Sequence, residues 1–279
     1  MLKVIDSLSE YENLYSRYVI SKKVSAYTNL FINKRKLCSY IKDKRMKYDV
    51  VNDSLFLFVN EYCYYKLYFY GIGINFEKLP VVDKNVCCDV YLHKNNLLRS
   101  NCVKKLFINR GFVHEGRYEQ VRLCYGKLYN EACKYLKDNS QKLIKYNMYI
   151  KNLNYDDKDK FEQIVINNIG MYDGLSIEDE LWEEQIKNNN VVGIYILDNL
   201  IAVYYFTEKA SRIIVEKDYR GKNLSVLLRM YFAAQNRWKN SSKNHYDWVE
   251  RNNMASKITF EKLCAVYTGK VKDRYVKIF

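Results

Sequence analysis

The chain has 279 residues, an apolar share of 48% and a formal net charge of +14, which fits one large or two ordinary domains with real cores. No apolar run approaches the roughly 20 residues that span a bilayer, and the start has no secretion signal, so we expect a cytoplasmic protein without a membrane span. The eight cysteines contain no Cys-x-x-Cys pair and the three histidines stand alone, which argues against a metal site.

The positive charge is concentrated in the first half of the chain. Residues 1–140 carry a net charge of +10 and residues 141–279 carry +4, with basic clusters at 34–36 and 42–47. Such a surface attracts anionic partners, including RNA or an acidic protein. A merely solvated lysine-rich surface explains the same charge, and we favour that interpretation because charge alone identifies no partner.

The first half contains apolar and aromatic runs typical of strands, followed by one helix. Segments 54–59 and 64–70 flank a four-residue connection as the arms of a hairpin. A further strand, a helix ending at a Gly C-cap at Gly111, and another strand are predicted at 86–93, 103–112 and 118–123.

The second half is predicted to begin with a strand and two helices, at 146–150, 157–170 and 177–187. Two β-branched and aromatic runs, 191–197 and 200–206, then form a hairpin whose two-residue turn is Asp198-Asn199. A short strand, 211–215, is followed by a loop. No Pro or Gly marks a linker, and we place a domain boundary near residue 140.

The loop and the helix after it form the most informative motif of the chain. Apolar residues at 224, 227, 228, 231 and 232 share one face of a helix. Arg220, Gly221 and Lys222 stand at its entrance, where unpaired N–H groups and the helix dipole favour a phosphate. An ordinary strand-to-helix connection with solvated charges is the alternative.

A second segment, 248–266, carries Asn253, Ser256, Phe260 and the run 262–265. Together with the preceding motif it resembles the acetyl-coenzyme A-binding half of the GNAT N-acetyltransferases, over about 135 C-terminal residues. In that family an Arg/Gln-x-x-Gly-x-Gly/Ala turn opens a long helix that holds the coenzyme diphosphate. An Asn-x-x-Ala/Ser, a Tyr and a Lys-Leu-Gly-Phe follow.

The match has departures. Asn223 and Ser225 stand where the family usually has glycines, although Asn tolerates a left-handed backbone and Ser is small. Phe260 replaces the Tyr that often protonates the leaving thiolate, and Phe cannot donate a proton. Cys264 and Ala265 replace Gly-Phe.

The resemblance implies an α+β fold of two GNAT-like domains, each a mostly antiparallel mixed sheet flanked by helices. Residues 141–279 would bind acetyl-coenzyme A. Residues 1–140 would be a degenerate domain, because a Gly-Phe helix end is present but the phosphate turn is missing; an unrelated α/β domain is the alternative.

The resemblance also implies roles for individual residues in acetyl transfer to a small-molecule or peptide amine. A backbone N–H near Val215, at a β-bulge, would polarise the thioester carbonyl, and Asn253 would hold the pantetheine arm. Phe260 would face the thioester. The diphosphate would lie on the turn residues, which are Arg220, Gly221, Lys222, Asn223, Leu224 and Ser225.

Glu208, Glu216 and Glu250 are candidate bases, although each is also explained as a solvated surface carboxylate. Two further functions stay open. One is a sensor or scaffold that binds acetyl-coenzyme A without turnover. The other is a transferase that acts on an RNA-linked substrate.

Overall fold

The computed structural model describes residues 2–20, 26–30, 32, 34–51, 54–61, 64–72, 79–80, 82–92, 97–168, 179–207, 210–235, 238–239 and 242–278. The chain divides into two compact units, residues 1–118 with 270–279, and residues 119–269. The boundary expected near residue 140 is therefore displaced. Residue 140 lies inside a helix, Tyr125–Lys145, whose Leu128 and Ala132 pack in the core of the second unit.

The first unit is a mixed, mostly antiparallel sheet with helices on its faces. Its strand order is β1-β3-β4-β5-β6-β13-β7, with β2 paired to β5, and β5 and β6 run parallel. Its elements are β1 (Lys3–Val4), α1 (Leu8–Tyr15), β2 (Ala26–Thr28), α2 (Lys34–Lys42), β3 (Met46–Val51), β4 (Ser54–Glu61), β5 (Tyr64–Ile72), β6 (Asn85–Leu92), α3 (Leu97–Asn109), and the larger part of β13 (Val266–Lys277) with the first half of β7 (Val113–Cys124). Residues 119–124 of β7 and 266–269 of β13 belong to the second unit.

Strand β4 is apolar on both faces because both faces of the sheet are covered. Phe56 and Phe58 pack in one core with Phe107 of α3, whereas Leu55 and Leu57 pack in another with α1 and α2. Successive side chains of a strand point to opposite faces, so a continuous apolar run is what two covered faces require.

The predicted hairpin of this unit is confirmed, with a tighter connection. Glu61 pairs with Tyr64, so the connection is 62–63 and lies outside the described residues. The predicted strands at 86–93 and 118–123 correspond to β6 and β7. The predicted helix at 103–112 corresponds to α3, after which Gly111 has φ +78.

A buried charge cluster lies on the β5, β6 and β13 strands of the first unit. The Asp89 carboxylate is 3.1 Å from Lys66 Nζ, 2.9 Å from Lys272 Nζ and 2.9 Å from Arg274 Nε. Burial raises the pKa of the Asp89 carboxyl, but the three cations together hold it well below its usual value. Burial, with Lys66 and Arg274 as like charges, lowers the pKa of Lys272 to about 8 despite the nearby Asp89.

The lowered pKa of Lys272 predicts a rise in stability at alkaline pH. An unfolded lysine keeps its proton up to a pKa of roughly 10.4, so between pH 8 and that value the unfolded chain binds more protons than the folded chain. Folding stability should rise with pH across this window, by about 2–4 kcal/mol from this group alone.

The measurement is urea unfolding of native protein and Lys272→Met at several pH values from 7 to 11. Subtracting the variant's unfolding free energy from that of the native protein at each pH removes the contribution of tyrosine titration, which both proteins share. A stability difference between native and variant that stays constant with pH would contradict the assignment.

The second unit contains a four-stranded antiparallel sheet, β11-β10-β9-β8, with helices on both faces. Its elements follow the predicted order. They are α4 (Tyr125–Lys145), β8 (Met148–Asn152), α5 (Lys158–Asn168), α6 (Asp179–Lys187), β9 (Val191–Ile196), β10 (Asn199–Thr207), β11 (Ala210–Val215), α7 (Leu224–Ala233), β12 (Asn244–Glu250) and α8 (Met254–Lys262).

Successive side chains of β10 pack into two different cores, one on each face of this sheet, and helices cover both. Ala202 and Tyr204 belong to the core formed with α4 and α7, whereas Val203 and Tyr205 belong to the core formed with α5 and α6. The hairpin between β9 and β10 is confirmed, but its turn is Leu197-Asp198 rather than Asp198-Asn199. Asn199 pairs with Ile196, and exposed Leu197 takes the left-handed conformation, with φ 53°.

Candidate functional site

The turn between β11 and α7 has the backbone that the motif predicts. After β11 ends at Val215, a single 3-10 turn leads to Arg220 in an extended conformation. Gly221 has φ +80° and Asn223 has φ 61°, so the residue that replaces a family glycine does take the left-handed conformation. A Cβ placed on Gly221 would meet no described atom within 4 Å, so this side of the backbone is open to a ligand.

The first turn of α7 offers backbone donors at this opening. The Leu227 N–H donates to the Asn223 carbonyl at 3.1 Å, which is the first bond of the helix. The N–H groups of Leu224, Ser225 and Val226 precede it and have no acceptor within the helix. With the positive end of the helix dipole, these donors make a suitable contact for a diphosphate.

Arg220 stabilises the turn as well as adding charge to it. Its Nε donates to the Val215 carbonyl at 3.0 Å, and its Nη2 donates to Asn168 Oδ1 at 3.0 Å. The exposed Lys222 places its Nζ 4.8 Å from the centre of the Tyr219 ring. The turn therefore carries two cations beside the open backbone of Gly221.

Helix α8 supports this turn through contacts that sequence analysis did not identify. Lys262 Nζ donates to Asn223 Oδ1 at 2.7 Å, so a third cation reaches the entrance of α7. The hydroxyls of Ser225 and Thr259 are 3.0 Å apart. Lys262 is part of the matched run 262–265, but the match gave no indication that it approaches Asn223.

Asn253 and Phe260 occupy different environments on α8. Asn253 is the N-cap, and its Oδ1 accepts a hydrogen bond from the Ser256 N–H at 3.0 Å, which leaves its exposed amide nitrogen as the donor for a ligand. The Phe260 ring is buried in the core, with the centre of the Arg229 guanidinium 4.5 Å from the ring centre. The predicted contact of Phe260 with a thioester stays a prediction.

Strands β11 and β12 are neighbours in the second unit. No ladder pairs them among the described residues, and β11 is the edge of its own sheet. The Ser211 N–H donates to Asp247 Oδ1 at 3.2 Å, which joins the two strands near the start of β11. The unpaired part of β11 therefore runs from there towards Val215.

The Val215 N–H points away from β10. Val215 lies opposite Ala202, and the next bond of this ladder runs from the Glu216 N–H to the Ile201 carbonyl at 3.0 Å. Residues 215 and 202 therefore form a non-hydrogen-bonded pair, whose N–H groups point outward. The predicted bulge at Val215 is absent from this ladder, which is regular from 210 to 215; the register shift lies between Leu200 and Ala202, against β9.

The structure describes two of the three candidate bases. Glu216 directly follows β11, and Glu250 is the last residue of β12. Both side chains are half-buried. Glu208 lies outside the described residues. The structure therefore leaves two carboxylates, those of Glu216 and Glu250, at the ends of β11 and β12.

A buried ion pair connects α7 to β12. Arg229 Nη2 is 2.8 Å from Asp247 Oδ2 and 3.2 Å from Ser211 Oγ, and Ser211 Oγ also donates to Asp247 Oδ2. Burial raises the pKa of the Asp247 carboxyl, but Arg229 above all, then His245 and Ser211, hold it well below its usual value. Sequence analysis missed this pair, although a lone arginine in an apolar helix is a detectable signal.

The fold is shared with solved structures, two of which are named acetyltransferases. A GCN5-related N-acetyltransferase from Sphaerobacter thermophilus is similar with a TM-score of 0.55 and 9% identity, covering 100% of this chain and 95% of that protein. A GNAT-family acetyltransferase from Colwellia psychrerythraea has a TM-score of 0.51 and 14% identity, with complete coverage of both chains. A Drosophila protein has a TM-score of 0.56 and 12% identity, covering 100% and 98%.

These likenesses establish the mixed α/β fold of the GNAT N-acetyltransferases for this chain, as the sequence motifs predicted. No protein-family model and no curated protein matches the chain. Among the described residues, no helix is long and apolar enough to cross a membrane, and no group of three His, Cys, Asp or Glu side chains is arranged to hold a metal ion.

Proposed function

We propose that the second unit binds acetyl-coenzyme A and transfers its acetyl group to a primary amine. The observation that carries this proposal is the turn before α7, where open backbone at Gly221, unpaired N–H groups and three cations lie together at the end of an edge strand. A coenzyme diphosphate requires this combination of backbone donors and positive charge. The shared fold supports the same assignment.

Acetyl-coenzyme A supplies an activated acyl group as a thioester. The residues of this chain would bind the coenzyme and stabilise the transition state. The N–H groups of Leu224, Ser225 and Val226, with Arg220 and Lys222, would hold the diphosphate. The outward N–H of Val215 would donate to the thioester carbonyl and stabilise the oxyanion that develops as the amine attacks.

Proton transfer from the amine would fall to Glu216 or Glu250, directly or through a water molecule. At the position of the family tyrosine, Phe260 offers no proton. A thiolate has a pKa near roughly 8.5 by analogy with cysteine, so it needs less help to leave at neutral pH than an alkoxide does. The acetyl acceptor would be a small-molecule or peptide amine, with the cytoplasm as the place of action.

A tandem arrangement, in which the first unit is a degenerate GNAT-like domain without a coenzyme site, is part of the proposal. Each unit contains an antiparallel hairpin in a sheet flanked by helices. Its basic composition is also compatible with an anionic partner.

The test of function is mass spectrometry of mixtures containing the protein, acetyl-coenzyme A and a panel of amines. The panel contains a polyamine, an amino sugar, an arylalkylamine and a peptide with a free N-terminus. We expect one class to gain an acetyl group while free coenzyme A accumulates. Coenzyme A binding without any acetylated amine would favour the sensor or scaffold function, and an aminoacyl-RNA substrate is the next acceptor to add.

Asn253 provides a sharper test of the pantetheine contact. Asn253→Ala removes both the helix cap and the amide donor, and the lost cap alone costs about 1 kcal/mol of stability. Asn253→Asp keeps an oxygen that accepts from the Ser256 N–H but removes the donor. We expect both variants to weaken coenzyme A binding about three- to tenfold by calorimetry, with only the Ala variant losing thermal stability.

If Asn253→Asp binds coenzyme A as tightly as the native protein, Asn253 acts only as a helix cap. The predicted contact with the pantetheine arm would then be withdrawn.

A further inference from the structure

The buried Arg229–Asp247 pair links three elements that build the proposed donor site. Arg229 lies on α7, five residues after the first helical residue, Leu224. Asp247 lies on β12, and it accepts hydrogen bonds from both the backbone N–H and the hydroxyl of Ser211 on β11. Helix α7, which follows the diphosphate turn, and strands β11 and β12 are therefore connected through one carboxylate.

The network is deeply buried and only partly satisfied. Arg229 and Asp247 are 4% and 5% exposed, and Arg229 Nε and Nη1 have no hydrogen-bond acceptor among the described residues. The guanidinium instead lies 4.5 Å from the centre of the Phe260 ring and 5.2 Å from that of Tyr204. His245 Nε2 is 3.6 Å from Asp247 Oδ2.

Stability alone does not account for such a network. Replacing a buried ion pair by apolar side chains of similar volume is often neutral or stabilising, because two charges no longer have to be desolvated. Unpaired N–H groups add a further cost here. A polar network at this place is explained if its directional bonds fix a geometry that apolar packing would leave looser.

We propose that Arg229, through Asp247 and Ser211, is a positioning residue that sets the spacing of β11 and β12 and thereby the place of the thioester relative to the Val215 N–H. This inference rests on the proposed function. It assigns Arg229 no contact with the substrate. Its consequence is that breaking the network impairs acetyl transfer more than coenzyme A binding, since the diphosphate turn at 220–225 is outside the network.

The test replaces both charged partners at once, because a single change would leave the other charge buried and alone. Arg229→Met with Asp247→Leu is designed to keep the core packed. Lys158→Met with Glu162→Leu is the matched control, since that ion pair, 3.6 Å apart on α5, is more exposed and remote in sequence from the turn. Thermal melting, calorimetry with coenzyme A, and steady-state acetylation of the best amine from the panel are measured for each.

We expect the double variant at 229 and 247 to melt close to the native protein, to bind coenzyme A within about threefold, and to lose at least tenfold in kcat. The control should keep all three properties. A folded double variant with native kcat would overturn the positioning role. Failure of the native protein itself to bind coenzyme A would instead remove the proposed function, so the two failures are distinct.

Ser211→Ala keeps the test decisive if the double variant does not fold. This change removes only the hydroxyl that links β11 to Arg229 and Asp247, while the backbone N–H of residue 211 still reaches Asp247. We expect about a three- to tenfold loss in kcat with coenzyme A affinity unchanged. Native kcat in Ser211→Ala would overturn the proposal in that case.

Discussion

Arg220→Glu combined with Gly221→Asp should weaken coenzyme A binding at least a hundredfold, which corresponds to about 2.7 kcal/mol of binding free energy. The double change places two carboxylates where the diphosphate would lie and removes a cation. It also puts a side chain on open backbone at φ +80° and breaks the bonds from Arg220 to Val215 and Asn168. Calorimetric titration with coenzyme A measures the effect.

A thermal-shift experiment gives a second reading of the same prediction. At a coenzyme concentration one hundred times its dissociation constant, binding stabilises the native fold by about 2.7 kcal/mol, and this increment should vanish in the variant. Lys127→Glu, an exposed charge reversal on α4, controls for a general loss of electrostatic attraction. Undiminished binding in the double variant would show that the coenzyme lies elsewhere.

The second large effect concerns the stability of the first unit. Asp89→Asn should lower the free energy of unfolding by about 3–5 kcal/mol, because it leaves three cations crowded around a neutral amide in a buried place. Urea unfolding at pH 7 measures the change. The substitution conserves volume, so the loss would be electrostatic rather than a packing defect.

Asp138→Asn is the control for this substitution, because Asp138 is exposed on α4 and the same chemical change there should cost less than about 0.5 kcal/mol. An equally small effect at Asp89 would mean that the three cations are compensated without this carboxylate. The cluster would then not be a stabilising centre of the first unit.

Local patterns in the sequence were sufficient to predict most elements and the backbone of the turn. Apolar periodicity located α7, β-branched and aromatic runs located the hairpins, and the left-handed tolerance of Asn predicted how Asn223 could replace a glycine. These features depend on neighbouring residues, so a short window of sequence contains their cause. The connection of the first hairpin is two residues shorter than predicted and the turn of the second lies one residue earlier, because polar residues at 60, 61 and 199 join the strand pairing.

Contacts between distant segments could not be predicted in this way. Lys262 reaches Asn223 across 39 residues, and Arg229 meets Asp247 across 18. The division between the units was also misplaced, because α4 and the last ten residues of the chain join cores that are far away in sequence. Such contacts depend on how elements pack, and no local pattern encodes that.

The most direct test of the central claim is a crystal structure of the protein with coenzyme A. The claim predicts the diphosphate within hydrogen-bond distance of the backbone N–H groups between Gly221 and Val226, with the pantetheine arm extending along β11 towards the Val215 N–H. Coenzyme A bound to the first unit, or bound to the second unit away from the turn before α7, would contradict it.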